Sequence, residues 1–273
     1  MKISISGSIV LYKGDMIVKK AISSFLKSTL PVKLYLVDNS PTDQFRHDHS
    51  DLLKDKKIEY IFNNKNVGFG AGHNIAIRLA FDQSDYHLVL NPDICFEAGV
   101  LEKLFCFAER NKEVGLLMPK IVYPNGAIQY TCKLLPTPLD LIFRRFLPKN
   151  LFQKRLEAFE MRQSGYETEM EVPYLSGCFM FFRTAALKEV GLFDERFFMY
   201  PEDIDITRRI YLKFKTMYFP YAEVIHSHAR DSYKSFKLLF IHIFNMIKYF
   251  NKWGWIFDGE RRRINKRILS QFK

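Results

Sequence analysis

IEYIFNNKNVGFGAGHN, residues 58–74, changes character part-way along. Residues 58–63 are an apolar run of strand length, whereas NVGFGAGHN (66–74) is a glycine-rich turn opening a helical pattern to about Asp82. HLVLNPD (87–93) is a second buried strand ending in a polar turn, and a helical stretch follows from Glu97 to about Asn111. Strand, crossover helix and strand form a βαβ unit, whose strands run parallel. Ligands of such sheets bind beyond the carboxyl ends of the strands. The turn after Asn63 and the turn at Asp93 both lie there.

The same alternation extends outward. Ile3 to Tyr12 is β-branched and apolar, residues 15–29 have helical spacing through Ile17, Ala21, Ile22 and Phe25, and LYLVD (34–38) is a short strand ending at Asp38. After Val114 the pattern changes. GLLMPKIVYPNGAIQY (115–130) predicts a strand, a Pro-Asn-Gly turn and a strand, and residues 138–163 predict a basic, apolar helical region. VPYLSGCFMFFR (172–183) predicts a strand pair interrupted at Ser-Gly, residues 184–190 a short helix, and KTMYFPYAEVIHSH (215–228) one or two strands. The expected fold is α/β: a single domain over residues 1–230 with a mixed, mostly parallel central sheet flanked by helices, and a helical extension over 231–273.

Composition agrees with this class. Of 273 residues, 48% are hydrophobic and 26% charged, which supports a packed core and argues against disorder. Four cysteines without C-x-x-C spacing predict reduced thiols rather than a disulfide framework. The N-terminus starts as a strand and does not resemble a signal peptide, and no long uncharged apolar run predicts a membrane span. A cytoplasmic protein is expected. The net charge of +11 calls for an anionic partner: nucleotide, nucleic acid or phospholipid.

Five features can carry chemistry. Asp38 at a strand end can accept hydrogen bonds from a base or ribose, or can cap its own loop. The glycines at 68, 70 and 72 match neither a dinucleotide fingerprint nor a P-loop, but they permit close backbone approach. Asp93, in the Asn91-Pro92-Asp93 turn, could hold a hard divalent cation or simply form the turn. His226 and His228 end a strand and could each add a nitrogen ligand. In PEDID (201–205), Pro201 suits the first turn of a helix and acids suit its N-terminus. The apolar FFMY before them (197–200) would press Glu202 and Asp203 against a desolvating wall, which raises a carboxylate pKa as a general base requires. Asp205 should pair with Arg208 or Arg209 one turn on.

SIVLY, VDNS, NNKNVGFGAGHN, LNPD, VGLLMPKIVYPNGAIQ, YLSGCFMFFR, VGLFDERFFMYPEDIDITRR and VIHSH, in this order across roughly residues 3–228, resemble the family 2 inverting glycosyltransferases. The closest likeness is to the bacterial rhamnosyltransferase-like branch. The resemblance implies a GT-A fold, with residues 1–120 binding a nucleotide sugar and 121–230 the acceptor. It implies that Asp38 contacts the donor's base, with Asn39 and Gly68 also on the donor side, and that Gly177 lies under the donor sugar. Asn91 and Asp93 stand at the D-x-D position, with Asp93 and His226 binding Mg²⁺ or Mn²⁺. Asp203 is implied as the general base, with Glu202 beside it. The departure is Asn91, an amide where that motif has its first acid. The implied reaction transfers rhamnose from dTDP-rhamnose to a polyprenyl-diphosphate-linked glycan in surface polysaccharide biosynthesis.

Residues 232–273 contain ten Lys or Arg against two acids, a net +8 of the chain's +11. Phe236, Leu239, Phe240, Ile243, Ile247 and Phe250 fall on one helical face, with Lys234, Lys237, Asn245, Lys248 and Lys252 on the other. A basic amphipathic helix with Trp253 and Trp255 nearby suits an anionic membrane surface at the inner face of the cell membrane, or a solvated face packed on the domain. Confinement of the charge to one tail, with no nucleic-acid-binding signature, argues against a nucleic-acid partner. The N-terminus is a poor match to a nucleotidyltransferase loop. Homodimerisation stays open.

Overall fold

The computed structural model describes residues 2–13, 17–140, 153–227 and 236–272. Strand β1 (Ile3–Leu11) lies between β2 (Val32–Asp38) and β4 (Ser84–Leu90), parallel to both, and β3 (Ile58–Phe62) is parallel to β2. The sheet continues through β10 (Phe179–Arg183), antiparallel to β4 and to β6 (Val114–Val122), and then through β11 (Lys215–His226), parallel to β6. Short strands β5 (Ile94–Cys95) and β8 (Met170–Glu171) pair antiparallel with β11. The order β3-β2-β1-β4-β10-β6-β11-β5 is a mixed, mostly parallel α/β sheet, as expected. A separate ribbon joins β7 (Cys132–Lys133) to β9 (Tyr174–Leu175).

Helices cover both faces, which explains the near-continuous apolar strands. Leu34 and Leu36 of β2 join the main core with Ala21, Ile22 and Phe25 of α1 (Val18–Leu26). Tyr35 and Val37, pointing the other way, meet Ala76 and Ala80 of α3 (Phe69–Ala80). The short α2 (Gln44–Asp48) lacks a clear periodic signal in sequence. Helix α4 (Val100–Arg110) begins three residues after the expected Glu97. Between 138 and 163, α5 (Gln153–Phe159) is helical, whereas 141–152 lie outside the described residues. Then follow α6 (Thr184–Val190) and α7 (Glu202–Tyr211), with Pro201 at the N-cap rather than inside the first turn. Residues 215–226 form one strand whose register shifts between Phe219 and Glu223, around Pro220, which has no N–H for the ladder. The extension is two helices, α8 (Phe236–Trp253) and α9 (Gly259–Leu269).

The glycine turn permits close approach, but here the approaching group is the chain's own backbone. At Gly68, φ is +92° and an added Cβ would lie 2.3 Å from the Phe198 carbonyl oxygen, which also accepts from the Phe69 N–H at 3.0 Å. An added Cβ at Gly70 would meet that of Phe193 at 2.9 Å. These glycines therefore seat residues 193–202 on α3. Gly68→Ala should lower stability well beyond the about 1–3 kcal/mol of backbone strain. Gly99→Ala has a similar φ of +91° and open space around it, so it should cost the strain alone. Urea titration of the two variants checks the difference.

Candidate active site

Helix α7 opens on three acids, and the structure sends them in different directions. Glu202 and Asp203 are buried where FFMY and the glycine turn close over the first turn. Asp205 faces away: Oδ2 accepts from Arg209 Nε at 2.8 Å, and Oδ1 accepts from Trp253 Nε1 at 2.8 Å. The expected pairing of Asp205 within α7 is thus with Arg209. Arg208, 1% exposed, instead donates two hydrogen bonds to Asp258 at 2.7 and 2.9 Å.

Desolvation raises the pKa of both Glu202 and Asp203 above the ordinary carboxylate range, and the neighbouring Asp203 charge pushes Glu202 further. Asp203 has compensation. Its Oδ2 accepts from the Gly177 N–H at 3.0 Å and from the Tyr174 hydroxyl at 3.3 Å, while Oδ1 accepts from the Ile204 N–H at 2.8 Å. The buried Lys133 ammonium, opposite Tyr174 in the β7–β9 ribbon and 4.9 Å from the centre of its ring, adds a favourable charge. Glu202 Oε2 is buried without a hydrogen-bond partner. Of the pair, Asp203 is the acid that ionises first, and Glu202 holds its proton longer. An ionised carboxylate beside a protonated one can accept a proton from a hydroxyl.

The turn between β9 and β10 connects this acid to the strand ends. Gly177 donates to Asp203, while the Cys178 carbonyl accepts from the Asn91 N–H at 2.9 Å. Asn91 and Asp93 follow β4 as the sequence predicts. Asp93 Oδ1 lies 3.3 Å from His226 Nε2. Gln129 orients that imidazole: its Oε1 lies 2.9 Å from His226 Nδ1, and its Nε2 donates to the His226 carbonyl at 2.7 Å. Burial opposes a charged imidazole, but the Asp93 carboxylate and the Cys178 thiol outweigh it and raise the His226 pKa to about 10. Among the described residues no group of three His, Cys, Asp or Glu side chains could hold an ion by itself. An imidazolium cannot ligate a metal, so an ion would have to displace the His226 proton; one carboxylate and one neutral imidazole then fit a cation that takes its other ligands from phosphate and water, as Mg²⁺ does. His228 lies outside the described residues.

Asp38, Asn39 and Gly68, for which the resemblance implies donor contacts, come together beyond the ends of β2 and β3. Asp38 is fully buried, with Oδ1 accepting from the Ser40 N–H at 2.8 Å and Oδ2 from the Tyr60 hydroxyl at 2.7 Å. It therefore does cap its own loop, one of the two readings open in the sequence. Asn39 donates to the Gly68 carbonyl at 3.1 Å and accepts from Asn63 at 2.7 Å, joining the β2 turn to the glycine turn. Lys133 and Tyr174 escaped sequence reasoning because ribbons two residues long leave no periodic signal, and Gln129 because it meets His226 only through the fold.

The family model for Glycosyl transferase family 2 matches residues 9–191, well over half of the chain. The chain belongs to glycosyl transferase family 2. This transferase is 29% identical over 226 residues to the N-acetylglucosaminyl-diphospho-decaprenol L-rhamnosyltransferase of Mycobacterium tuberculosis, covering 76% of this chain and 70% of that one. It is 25% identical over 180 residues to the rhamnosyltransferase WbbL of Escherichia coli K12, covering 63% and 66%. Among solved structures, GalNAc-T7 with UDP, GalNAc and Mn²⁺ superposes with a TM-score of 0.63 at 16% identity, over 82% of this chain. The transferase spans 43% of that chain. The sheet and its flanking helices are of the GT-A type.

Proposed function

We propose that the protein is an inverting glycosyltransferase that moves rhamnose from dTDP-rhamnose to a hydroxyl of a polyprenyl-diphosphate-linked glycan during bacterial surface polysaccharide biosynthesis. Residues 1–120 hold the donor and 121–230 the acceptor. The observation that carries the reading is the buried Glu202–Asp203 pair joined, through Gly177 and Cys178, to the Asn91–Asp93 turn. The 177–178 turn bridges the two through backbone hydrogen bonds, which supports a base and a diphosphate-side turn held in fixed relation, as a single in-line displacement requires. Relatives named as rhamnosyltransferases, one of them acting on a decaprenol-linked substrate, support the donor and the acceptor class.

Asp203 accepts the proton of the attacking hydroxyl, which bonds to the anomeric carbon as the bond to the diphosphate breaks on the opposite face. Glu202 lines the acceptor side, and Gly177 keeps the space under the sugar free of a side chain. Asp38 and Asn39 fix the loop that meets the donor's base, and Gly68 brings the glycine turn against it. Asp93 and His226 would hold Mg²⁺ or Mn²⁺, which supplies charge stabilisation to the departing diphosphate when bound. A UDP-sugar donor is the second reading, favoured by the fold shared with GalNAc-T7, which was crystallised with UDP and Mn²⁺.

Thermal shift against a panel of nucleotide sugars, with and without Mn²⁺, tests the proposal. A ligand at a hundred times its Kd stabilises the folded form by about 2.7 kcal/mol. We expect dTDP-rhamnose to shift the midpoint most, and more with Mn²⁺. No shift with any nucleotide sugar would overturn the reading, and a larger shift with a UDP-sugar would replace its donor.

A further inference from the structure

Of the two readings open for the extension, packing on the domain does not use the apolar face as a whole. Helix α8 packs through Asn245, Met246, Tyr249 and Phe250, with Asn245 Nδ2 donating to the Met199 carbonyl at 2.9 Å. Of the expected apolar face only Phe250 is buried among these, and Asn245 comes from the expected polar face. The rotation leaves Phe240, Phe244 and Ile247 in solvent, with Phe244 61% exposed. Their spacing of four and three residues places them on one stripe. One turn further along the stripe, Asn251 accepts from Trp255 Nε1 at 2.8 Å, so the stripe runs into the loop between α8 and α9. That loop carries Ile256, 66% exposed, and Phe257, 91% exposed.

Cations stand beside this edge. Arg262 Nη2 donates to the Ile256 carbonyl at 3.3 Å, which holds a guanidinium at the loop tip, and Arg263 and Lys266 are exposed on the same helix. We propose that Phe240, Phe244 and Ile247, together with the Trp255-Ile256-Phe257 tip, form an edge that inserts into the surface of an anionic bilayer. The purpose of such docking rests on the polyprenyl-linked acceptor proposed above. An apolar edge with basic neighbours and an exposed Trp suits the headgroup region, where each nearby Lys or Arg adds electrostatic attraction. A second copy of this chain is the poorer occupant, since it would bring one net +8 extension against another.

The edge is coupled to catalysis through buried contacts. Asp205, two residues after Asp203, accepts from Trp253 at the end of α8 and pairs with Lys252 at 2.6 Å. Arg208, one turn along α7, is clasped by Asp258 at the start of α9. Insertion of the tip therefore sets the orientation of α7, and of the acid pair, relative to the bilayer.

Flotation of the full chain with vesicles of phosphatidylcholine, with and without phosphatidylglycerol, tests this. Wild type should float with the anionic vesicles and much less with the neutral ones. Ile256→Ser with Phe257→Ser should weaken that partitioning by about tenfold or more. Transfer to a detergent-soluble short-chain acceptor should stay as in wild type. Both side chains are largely in solvent, so the thermal midpoint should not move; if it falls, Phe240→Ser with Phe244→Ser supplies the same comparison. Equal flotation of wild type and variant, or none by wild type, overturns the proposal. So does a wild-type dimer that the variant dissolves, seen by sedimentation without flotation. Flotation lost in the variant while no polyprenyl-linked acceptor is ever glycosylated would leave the edge standing and refute the acceptor reading instead.

Discussion

Asp203→Asn is expected to lower kcat by about 10²- to 10⁴-fold while the nucleotide sugar still binds, because the amide cannot take the acceptor's proton. The fold should survive, since an Asn carbonyl oxygen can still accept from the Gly177 N–H. Burial raises the Asp203 pKa above its unfolded value, so its protonated form is the one the fold favours. Stability from this group is present at low pH and is lost as pH rises through the folded pKa. An uncharged amide escapes that loss, and the variant's thermal midpoint near neutral pH should not fall far. Collapse of turnover with an intact midpoint and an intact donor-induced shift separates chemistry from unfolding; wild-type turnover would remove Asp203 from the mechanism.

The same assignment predicts the pH profile. The acidic limb of kcat/KM should lie above the ordinary carboxylate range, with activity rising as Asp203 ionises. The groups facing Asp203 are Glu202 on its own helix and, from neighbouring elements, Lys133 on β7, Tyr174 on β9 and the Gly177 N–H. Lys133→Met removes the cation among them, so the limb should move to higher pH. Lys133→Arg should restore it.

The sheet was legible because its strands are buried on both sides and its crossover helices are amphipathic, so periodicity alone separated β1 to β4 from α1, α3 and α4. The acid pair was legible because apolar residues before an acidic helix start have few other uses. What stayed hidden depends on tertiary placement. Lys133 and Tyr174 meet Asp203 only because β7 and β9 pair across 40 intervening residues. The glycine turn read as a place for a ligand, and the backbone that fills it, at Phe198, lies far along the chain. In the extension, amphipathicity did not mark which side of α8 meets the domain. A polar Asn245 with a carbonyl partner can be buried, and apolar residues with an outside role need not be.

Asp258→Asn should cost about 3 kcal/mol or more, the range for removing one partner of a buried ion pair. The guanidinium of Arg208 has almost no contact with water, and Trp253 lies over it at 4.1 Å from the ring centre. Without the carboxylate, the acid left beside it is Glu260, 3.1 Å away and partly in solvent. Asp258 also caps α9, accepting from the Arg261 N–H at 2.9 Å. Asn can cap as well as Asp, so Asp258→Ala should cost about 1 kcal/mol more than Asp258→Asn. Burial alone would raise the Asp258 pKa, but Arg208 outweighs it and holds the carboxyl below its usual range. The pair's stabilisation is therefore complete above the unfolded carboxylate pKa and is lost as pH falls through the folded one. Denaturant titrations near pH 7 and near pH 3 should show the Asp258→Asn cost shrinking in acid. An equal cost at both would mean that Asp258 acts through shape and capping rather than charge, and the clasp between α7 and the extension would then not be electrostatic.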